Sequence, residues 1–427
     1  MLKSKIVKGT LSGLLLSSLV LAGCSSSSGG DGGDKTTVEI FQFKVEFKQQ
    51  FEQVAEQYEK ENPDVDLKIT TVGGGNDYKS AITSKFSSGE EPAIFNIGGP
   101  TDVKQFKDRL TDLSDTKAAE AALDGTLDGV TVDGEVLGVP YNQEGYGFIY
   151  NKRILKEAGI DPASLTSYDK LEEAVKKLDS EKDKLDIDAV FAYPVKEKWV
   201  TGNHLSNVFL ANEFDGDILK ASESKSIKFE DGDTFKQMID LQNEYSVQPT
   251  TSLDYSQQVE ELFSLEKVAF IQQGNWVYNT VYEMDSDLAE KGIGIIPIPN
   301  GDEAKMPVGV PNYWAVNSKV DEDVQEEAKK FLDWLYTSDE GKTAVLEEFK
   351  FIPAYEGYDT EKIADPLSQE IYKYAEAGNT LGWVFMGYPV GWNEDLGASV
   401  QKYVSGDQTW EELVKETQKI WEEKADN

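Results

Sequence analysis

The chain has 427 residues, with 42 basic and 78 acidic side chains, a formal charge of −36, one histidine and one cysteine. A field of that sign repels nucleic acid and anionic lipid surfaces. The single cysteine excludes an internal disulfide, so a chain of this length has to be held by its own apolar cores, in two or more domains.

The chain opens with Lys3, Lys5 and Lys8 ahead of an apolar run from Leu11 to Leu21, which ends in Leu21-Ala22-Gly23-Cys24. This is the layout of a signal peptide over residues 1–23, and the run is shorter than the roughly 20 apolar residues of a permanent spanning helix. The tetrapeptide resembles the lipobox of bacterial lipoproteins. That resemblance implies cleavage before Cys24, lipid on Cys24, and a place on the outer face of the cytoplasmic membrane. Cleavage removes three of the 42 basic residues, leaving 39 against 78 acidic ones and a formal charge of −39. Residues 24–35 are expected to be a flexible tether: Ser25 to Lys35 reads SSSSGGDGGDK, which cannot bury apolar surface, and its span is roughly 18 Å.

Strand and helix patterns then alternate. Val38 to Phe43 has strand periodicity, and Phe47, Phe51, Val54, Ala55 and Tyr58 fall on one helical face that Asn62-Pro63 ends. A strand over Val65 to Val72, a helix over Asp77 to Phe86 and a strand over Ala93 to Ile97 complete a β-α-β-α-β run. In open sheets of this kind ligands sit beyond the carboxyl ends of the strands, here Gln42 to Lys44, Gly73 to Asp77 and Gly98 to Asp102. Val130 to Val139 reads as a hairpin about Val-Asp-Gly, followed by a strand over Gly145 to Tyr150. Helices are expected over Tyr168 to Leu178, His204 to Phe214, Thr234 to Tyr245 and Tyr255 to Leu265, with strands near Val190 and over Val268 to Ile271. Two late helices show apolar faces, one with Val324, Ala328, Phe331, Leu332 and Leu335, the other with Trp410, Leu413, Val414, Thr417 and Trp421. No internal repeat is present.

Four stretches carry a resemblance: FEQVAEQYEKENPDVDLKI at 51–69, GVTVDGEVLGVPYNQEGYGFIYNK at 129–152, FSLEKVAFIQQGNW at 263–276 and LDWLYTSDEGK at 332–342. In this order, behind the lipobox, they resemble the extracellular solute-binding proteins of ABC sugar importers, the group of maltose-binding and multiple-sugar-binding proteins. The resemblance implies an α/β, two-lobed periplasmic-binding-protein-like fold (type II) with a three-strand hinge and a ligand cleft between the lobes. It places the N-terminal lobe at 36–143 and 312–350 and the C-terminal lobe at 147–308 and 355–427. It further implies a monomeric receptor that hands a neutral oligosaccharide to ABC permease subunits, with no cofactor, no metal and no catalysis; a glucose-based chain is the first expectation and galactosides such as raffinose the next.

A pyranose carries hydroxyls on its rim and C–H groups on its faces, so a site for it pairs flat aromatics with fixed polar groups. Trp334, Trp410 and Trp421 lie in amphipathic helices and read as core. Trp276 follows Gly274-Asn275 where a strand becomes a helix, and it resembles the family's stacking tryptophan. Glu197-Lys198-Trp199 resembles the acid-x-aromatic segment of the second lobe, Glu197 accepting hydroxyl protons and Trp199 offering a face. For Trp392, after Gly387-Tyr388-Pro389-Val390-Gly391, a ligand contact and a core position are both open. Tyr146 and Tyr313 flank the proposed crossings. Lys44, Asp77, Asp102 and Asn142 are polar candidates at strand ends, where loops also need polar residues. His204 follows Gly202-Asn203 at a helix start; it reads as a cap or exposed side chain ahead of a ligand contact, and stays a candidate.

Arg109 and Arg153 are the only arginines. Carboxylate and phosphate ligands are commonly met by arginine forks, so the scarcity favours a neutral ligand. The rival from another class is a glycoside hydrolase, which needs only two carboxylates, and no motif marks a pair. A receptor of the same fold for a polyamine or peptide also stays open, because aromatics and acids suit cations.

Overall fold

Apolar alternation makes the first strand, β1 (Thr36–Gln42), which turns Val38 and Ile40 to one face and Phe41 to the other. The computed structural model describes residues 35–72 and 78–425; the signal peptide, Cys24, the tether up to residue 34, and Asp77 lie outside the described residues. Strands β2 (Val65–Thr71) and β3 (Ile94–Ile97) lie parallel to β1 on either side, with Thr36 opposite Val65 and Ile40 opposite Ile94. Helix α1 (Lys48–Glu61) buries Phe51, Val54, Ala55 and Tyr58 on one face of this sheet. Helix α2 (Tyr78–Ser88) buries Ile82 and Phe86 on the other.

The sheet is finished by distant chain. Tyr313–Val316 pairs antiparallel with β3, and Val139–Pro140 pairs antiparallel beyond it. The helix Glu322–Thr337 then covers the Val38 and Ile40 face with Phe331, Leu332 and Leu335.

A second sheet is built around Glu144–Asn151, which pairs antiparallel with Val268–Gly274 on one side and with Ile293–Ile296 and Met306–Gly309 on the other. Ala189–Phe191 and Thr380–Leu381 form its edges. Tyr146 and Phe148 face one core and Ile149 the other, the two-residue period of a strand buried on both sides. The late helices Trp392–Val404 and Trp410–Ala425 pack into the first of these cores, the former through Leu396 and Val400 and the latter through Trp410 and Trp421. Trp334 is only partly buried, and its indole N–H reaches the Glu61 carboxylate at 2.9 Å.

Three segments run side by side between the sheets. The Tyr141 N–H donates to the Asn312 carbonyl at 2.9 Å and the Gln143 N–H to the Ile352 carbonyl at 2.8 Å. This is the two-lobed, periplasmic-binding-protein-like α/β fold with its three-strand hinge. The third segment touches the second lobe's core at Ile352, and Ala354, Tyr355 and Tyr358 then pack on the first lobe's core, Tyr355 stacking on Tyr336 at 4.3 Å and Tyr358 donating to the Tyr336 carbonyl at 3.0 Å. An aromatic pair that can bury both rings in the nearer lobe holds the chain there.

Candidate functional site

The second lobe carries a continuous aromatic patch where its central strand meets the hinge. His204 lies at its middle, stacked on Tyr146 at 4.2 Å and 5.1 Å from Trp276, 5.2 Å from Trp199, 5.7 Å from Phe385 and 6.1 Å from Trp383. Trp199 and Trp276 keep part of their surface open, whereas Tyr146, His204 and Trp383 are buried beside them. Both open rings are pinned by their N–H groups. Trp199 donates to Glu197 Oε2 at 3.1 Å. Trp276 donates to Gln273 Oε1 at 2.8 Å, Gln273 to Gln258 at 2.7 Å and Gln258 to the Ala192 carbonyl at 2.8 Å, a buried amide ladder that fixes the indole plane.

Close backbone approach explains the glycine ahead of Trp276. A Cβ at Gly274 would lie 2.2 Å from the Trp276 ring and 2.5 Å from the Gly145 carbonyl, so only glycine lets the indole fold back over its own strand. Gly309 does the same for Trp383, where an added Cβ would lie 2.5 Å from the ring. Asn275 ties this corner to the hinge, accepting the Gly145 N–H at 3.2 Å and donating to Ser368 Oγ at 2.9 Å. Ser368 in turn donates to Asp365, a carboxyl that burial pushes up to about 6.

His204 sits in a widened, π-helical turn, Val200–Leu205, a local irregularity common at functional sites. Its sequence reading as a cap or exposed side chain is corrected by this turn, which rotates the ring inward to 7% exposure with no partner for Nδ1 among the described residues. Burial pushes its pKa down to about 3, and the groups around it are rings without charge. The folded state therefore resists protonation while the unfolded chain takes a proton near pH 6.5. The stability that neutral His204 confers is complete above pH 6.5 and is lost as pH falls toward 3; Asp365, raised from 3.8, works in the opposite sense between about pH 6 and 4. Relative to His204→Phe, the parent is expected to lose about 2 kcal/mol between pH 6.5 and 5. Urea denaturation of both at several pH values measures this, and a pH-independent difference between them would contradict it.

On the first lobe, Lys44 follows β1 and forms an ion pair with Glu144, the first residue of the second lobe's central strand, both side chains being almost completely buried. Gln42 shapes this turn by accepting the Lys44 N–H at 2.7 Å. Asn142 donates to Glu144 at 3.4 Å and to the Gln143 carbonyl at 3.0 Å, and its Oδ1 has no partner among the described residues. Lys44, Asn142, Glu144 and Trp276 thus come together at the hinge end of the cleft.

A cavity of about 1030 Å³ opens between the lobes, walled by α2 and α3 (Pro100–Phe106) on one side and by Asn203, Phe385, residues 388–391, Asn393 and Glu394 on the other. Asp102 lines it, paired with Lys79 and accepting the Gly98 N–H at 2.8 Å. Phe385 and Asn203 join this cavity to the aromatic patch. Among the described residues no group of three or more His, Cys, Asp and Glu side chains could hold a metal ion.

Three further candidates are held by the protein's own contacts. Trp392 is fully buried, packed at 4.7 Å on Trp421 and 5.0 Å on Tyr388, its indole N–H donating to the Thr417 carbonyl at 2.7 Å; it belongs to the core. The preceding Gly391 starts a helix whose first turn faces inward, so the ring cannot project into the cleft. Glu197 has both oxygens engaged, by the Trp199 indole and by the Tyr255 N–H at 3.2 Å, and acts by orienting those neighbours. Tyr313 is 4% exposed, opposite Trp314 on the strand; it stands apart from the patch but lines a second cavity between the lobes beside Trp383 and Met386.

Sequence reasoning missed Glu144, Trp383 and Phe385. Trp383 follows Gly382 directly, but the glycine that makes room for its ring is Gly309, far away in sequence, so no local signal like that at Trp276 marked it. Glu144 carried no local signal, since its partner is 100 residues away.

Several known proteins are similar to this chain. The melibiose/raffinose/stachyose-binding protein MelE of Bacillus subtilis (strain 168) is 28% identical over 148 residues, 34% of each chain. The multiple sugar-binding protein of Streptococcus mutans serotype c is 27% identical over 175 residues, 38% of this chain and 39% of that protein. These matches span little more than a third of the relatives' length. RafE in complex with raffinose has a TM-score of 0.75 at 18% identity, covering 91% of this chain and 99% of its own. A chitin oligosaccharide binding protein has a TM-score of 0.77 at 22% identity, with 92% and 100% covered. Identities this low establish the shared fold. Residues 44–342 match the bacterial extracellular solute-binding proteins as a family, and this chain belongs to that family.

Proposed function

We propose that this chain is a lipid-anchored extracellular receptor that binds a neutral oligosaccharide in the cleft between its lobes and delivers it to an ABC import permease. The observation that carries the reading is the aromatic patch, in which two part-open tryptophans are locked by their N–H groups and stand ready to stack on sugar faces. Both arginines are engaged away from the patch, Arg109 with Glu91 at 3.1 Å and Arg153 with Glu266 at 2.8 Å, which supports a ligand without carboxylate or phosphate. The sequence reading favoured a glucose-based chain. The relatives named for melibiose, raffinose and stachyose put those galactosides first among the compounds to test.

A thermal-shift series with melibiose, raffinose, stachyose, maltotriose, chitotriose, spermidine and a short peptide is expected to raise the melting temperature with at least one saccharide and with neither of the last two. A ligand that binds only the folded state must do so. Stabilisation by spermidine or the peptide alone would move the protein to the other ligand class, and new reducing ends on incubation with any of the saccharides would make it a hydrolase.

The anchor rests on Cys24 and the preceding Leu21-Ala22-Gly23. No helix among the described residues is long and apolar enough to cross a membrane. Cys24→Ala is expected to release the protein from the membrane fraction into the medium. A variant that stays with the membranes would show that something else holds it there.

A further inference from the structure

Lys350 is seated in the first lobe and reaches across the hinge to the second. Phe349 and Phe351 on either side of it pack together at 5.0 Å and against Phe47, and the next residue, Ile352, is bonded to Gln143 in the hinge. The Lys350 ammonium lies 4.9 Å from the centre of the Tyr278 ring and 4.7 Å from that of Tyr282. These tyrosines stand one turn apart on one face of the helix Tyr278–Met284, their ring centres 5.9 Å from each other. A half-buried ammonium over two ring faces is a cation–π contact, and it strengthens as water is excluded from it.

The backbone gives a second sign. Lys350 follows the helical turn Ala344–Glu348 with φ 57°, the left-handed conformation in which helices commonly end and for which glycine is the usual residue. A β-carbon costs energy there, so a lysine in that place is explained by what its side chain reaches.

What it reaches is the corner that carries Trp276. Tyr278 is two residues beyond that tryptophan, and both line one small recess with Lys350, Asn275 and Asp365. Gln273 sets the plane of the indole, and Asn275, through Ser368, holds the start of the corner. Both of those holds lie within the second lobe. The Lys350 contact holds the far end of the corner, and it comes from the first lobe.

We propose that Lys350 is a positioning residue for saccharide binding: seated in the first lobe, it holds the helix behind Trp276 through Tyr278 and Tyr282 and so sets where that indole stands in the cleft. The proposal rests on the oligosaccharide reading above and adds a residue that controls affinity by acting through Trp276.

Lys350→Gly suits the left-handed backbone and removes the contact, so the fold is not put at risk. Fluorine NMR of the ligand-free protein labelled with fluorotryptophan reads the position of the indole, the Trp276 and Trp421 signals being assigned by their loss in Trp276→Phe and Trp421→Phe. In Lys350→Gly the Trp276 signal is expected to shift or broaden while the Trp421 signal, from a fully buried ring, stays in place. Isothermal titration with raffinose, stachyose and maltotriose is expected to show affinity falling at least about fivefold in Lys350→Gly, and staying within about twofold of the parent in Lys350→Arg, which keeps the cation. Tyr282→Leu, which removes the outer ring at a position 39% exposed, is expected to fall between the two. An unmoved Trp276 signal in Lys350→Gly, affinity kept within twofold by that variant, or a Lys350→Arg variant as weak as Lys350→Gly would overturn the positioning role and leave the receptor reading standing. Absence of binding by all three saccharides in the parent would overturn the receptor reading and the role in binding with it, while the fluorine signal still shows whether the contact holds the indole.

Discussion

Lys44→Met is expected to lower the stability of the folded chain by about 3–5 kcal/mol, the cost of leaving one member of a buried ion pair without its partner. The Lys44 and Glu144 side chains are 5% and 6% exposed, so water cannot take the place of the lost ammonium. What would remain to the carboxylate is the Asn142 amide at 3.4 Å. The pair itself stabilises little, since desolvation offsets most of its attraction. Hence the double variant Lys44→Met, Glu144→Leu should recover most of the loss. Urea denaturation at pH 7 of the parent, the single and the double variant measures all three. A single variant within 1 kcal/mol of the parent, or a double variant no better than the single, would show that this pair is not closed off from water as the geometry requires. The position raises the interest of the result: one partner follows the first strand of one sheet and the other begins the central strand of the second, so the bond spans the hinge.

Trp276→Ala is expected to weaken saccharide binding by about 2–4 kcal/mol, roughly 30- to 1000-fold, the range for an aromatic anchor at the centre of a site. Its ring is part open and held by Gln273 with no help from a ligand, so the parent meets sugar with the indole already oriented. Stability should fall less than affinity, because the ring lies at the margin of two cores and not within either. Trp392→Ala serves as the contrast, since that ring is fully buried and should lose folding stability while the folded fraction keeps its affinity. Calorimetric titration beside a denaturation curve separates the two. Retention of affinity within threefold by Trp276→Ala would remove this residue from the site.

Much of the fold was legible because its elements carry their own periodicity. The α1 face of Phe51, Val54, Ala55 and Tyr58 and the alternation in β1 needed no distant information. The completion of the first sheet by Tyr313–Val316 had no periodicity to mark it, because a four-residue strand gains its place from its distant partners, β3 and Val139–Pro140; only the resemblance assigned 312–350 to the first lobe. In the candidate site, glycine before tryptophan marked Trp276 where the backbone needed room for a ring. For Trp392, left open between contact and core, Gly391 serves a helix start at φ 72° and the ring goes to the core. Trp383 and Phe385 sit in an irregular stretch that reaches the patch only because Thr380–Leu381 joins the sheet edge beside Met306–Gly309. His204 was misread since a widened helical turn has no sequence signature that distinguishes it from an ordinary helix start.

The way each sheet borrows chain from far away also dictates the order in which this protein can fold. Segment 36–143 supplies four of the five strands of the first sheet, yet the strand that joins β3 to Val139–Pro140 comes from Tyr313–Val316, and the helix that covers one face comes from Glu322–Thr337. A chain emerging amino end first therefore exposes Val38, Ile40 and Phe51 until some two hundred further residues have followed. The larger part of the second lobe is threaded between those two instalments, and its late helices Trp392–Val404 and Trp410–Ala425 come after both. Loop-closure entropy across such separations makes assembly slow and binds the two lobes into one folding event. A cut in the hinge would then yield two fragments that each lack a wall of their core, and neither lobe would survive as an independent module.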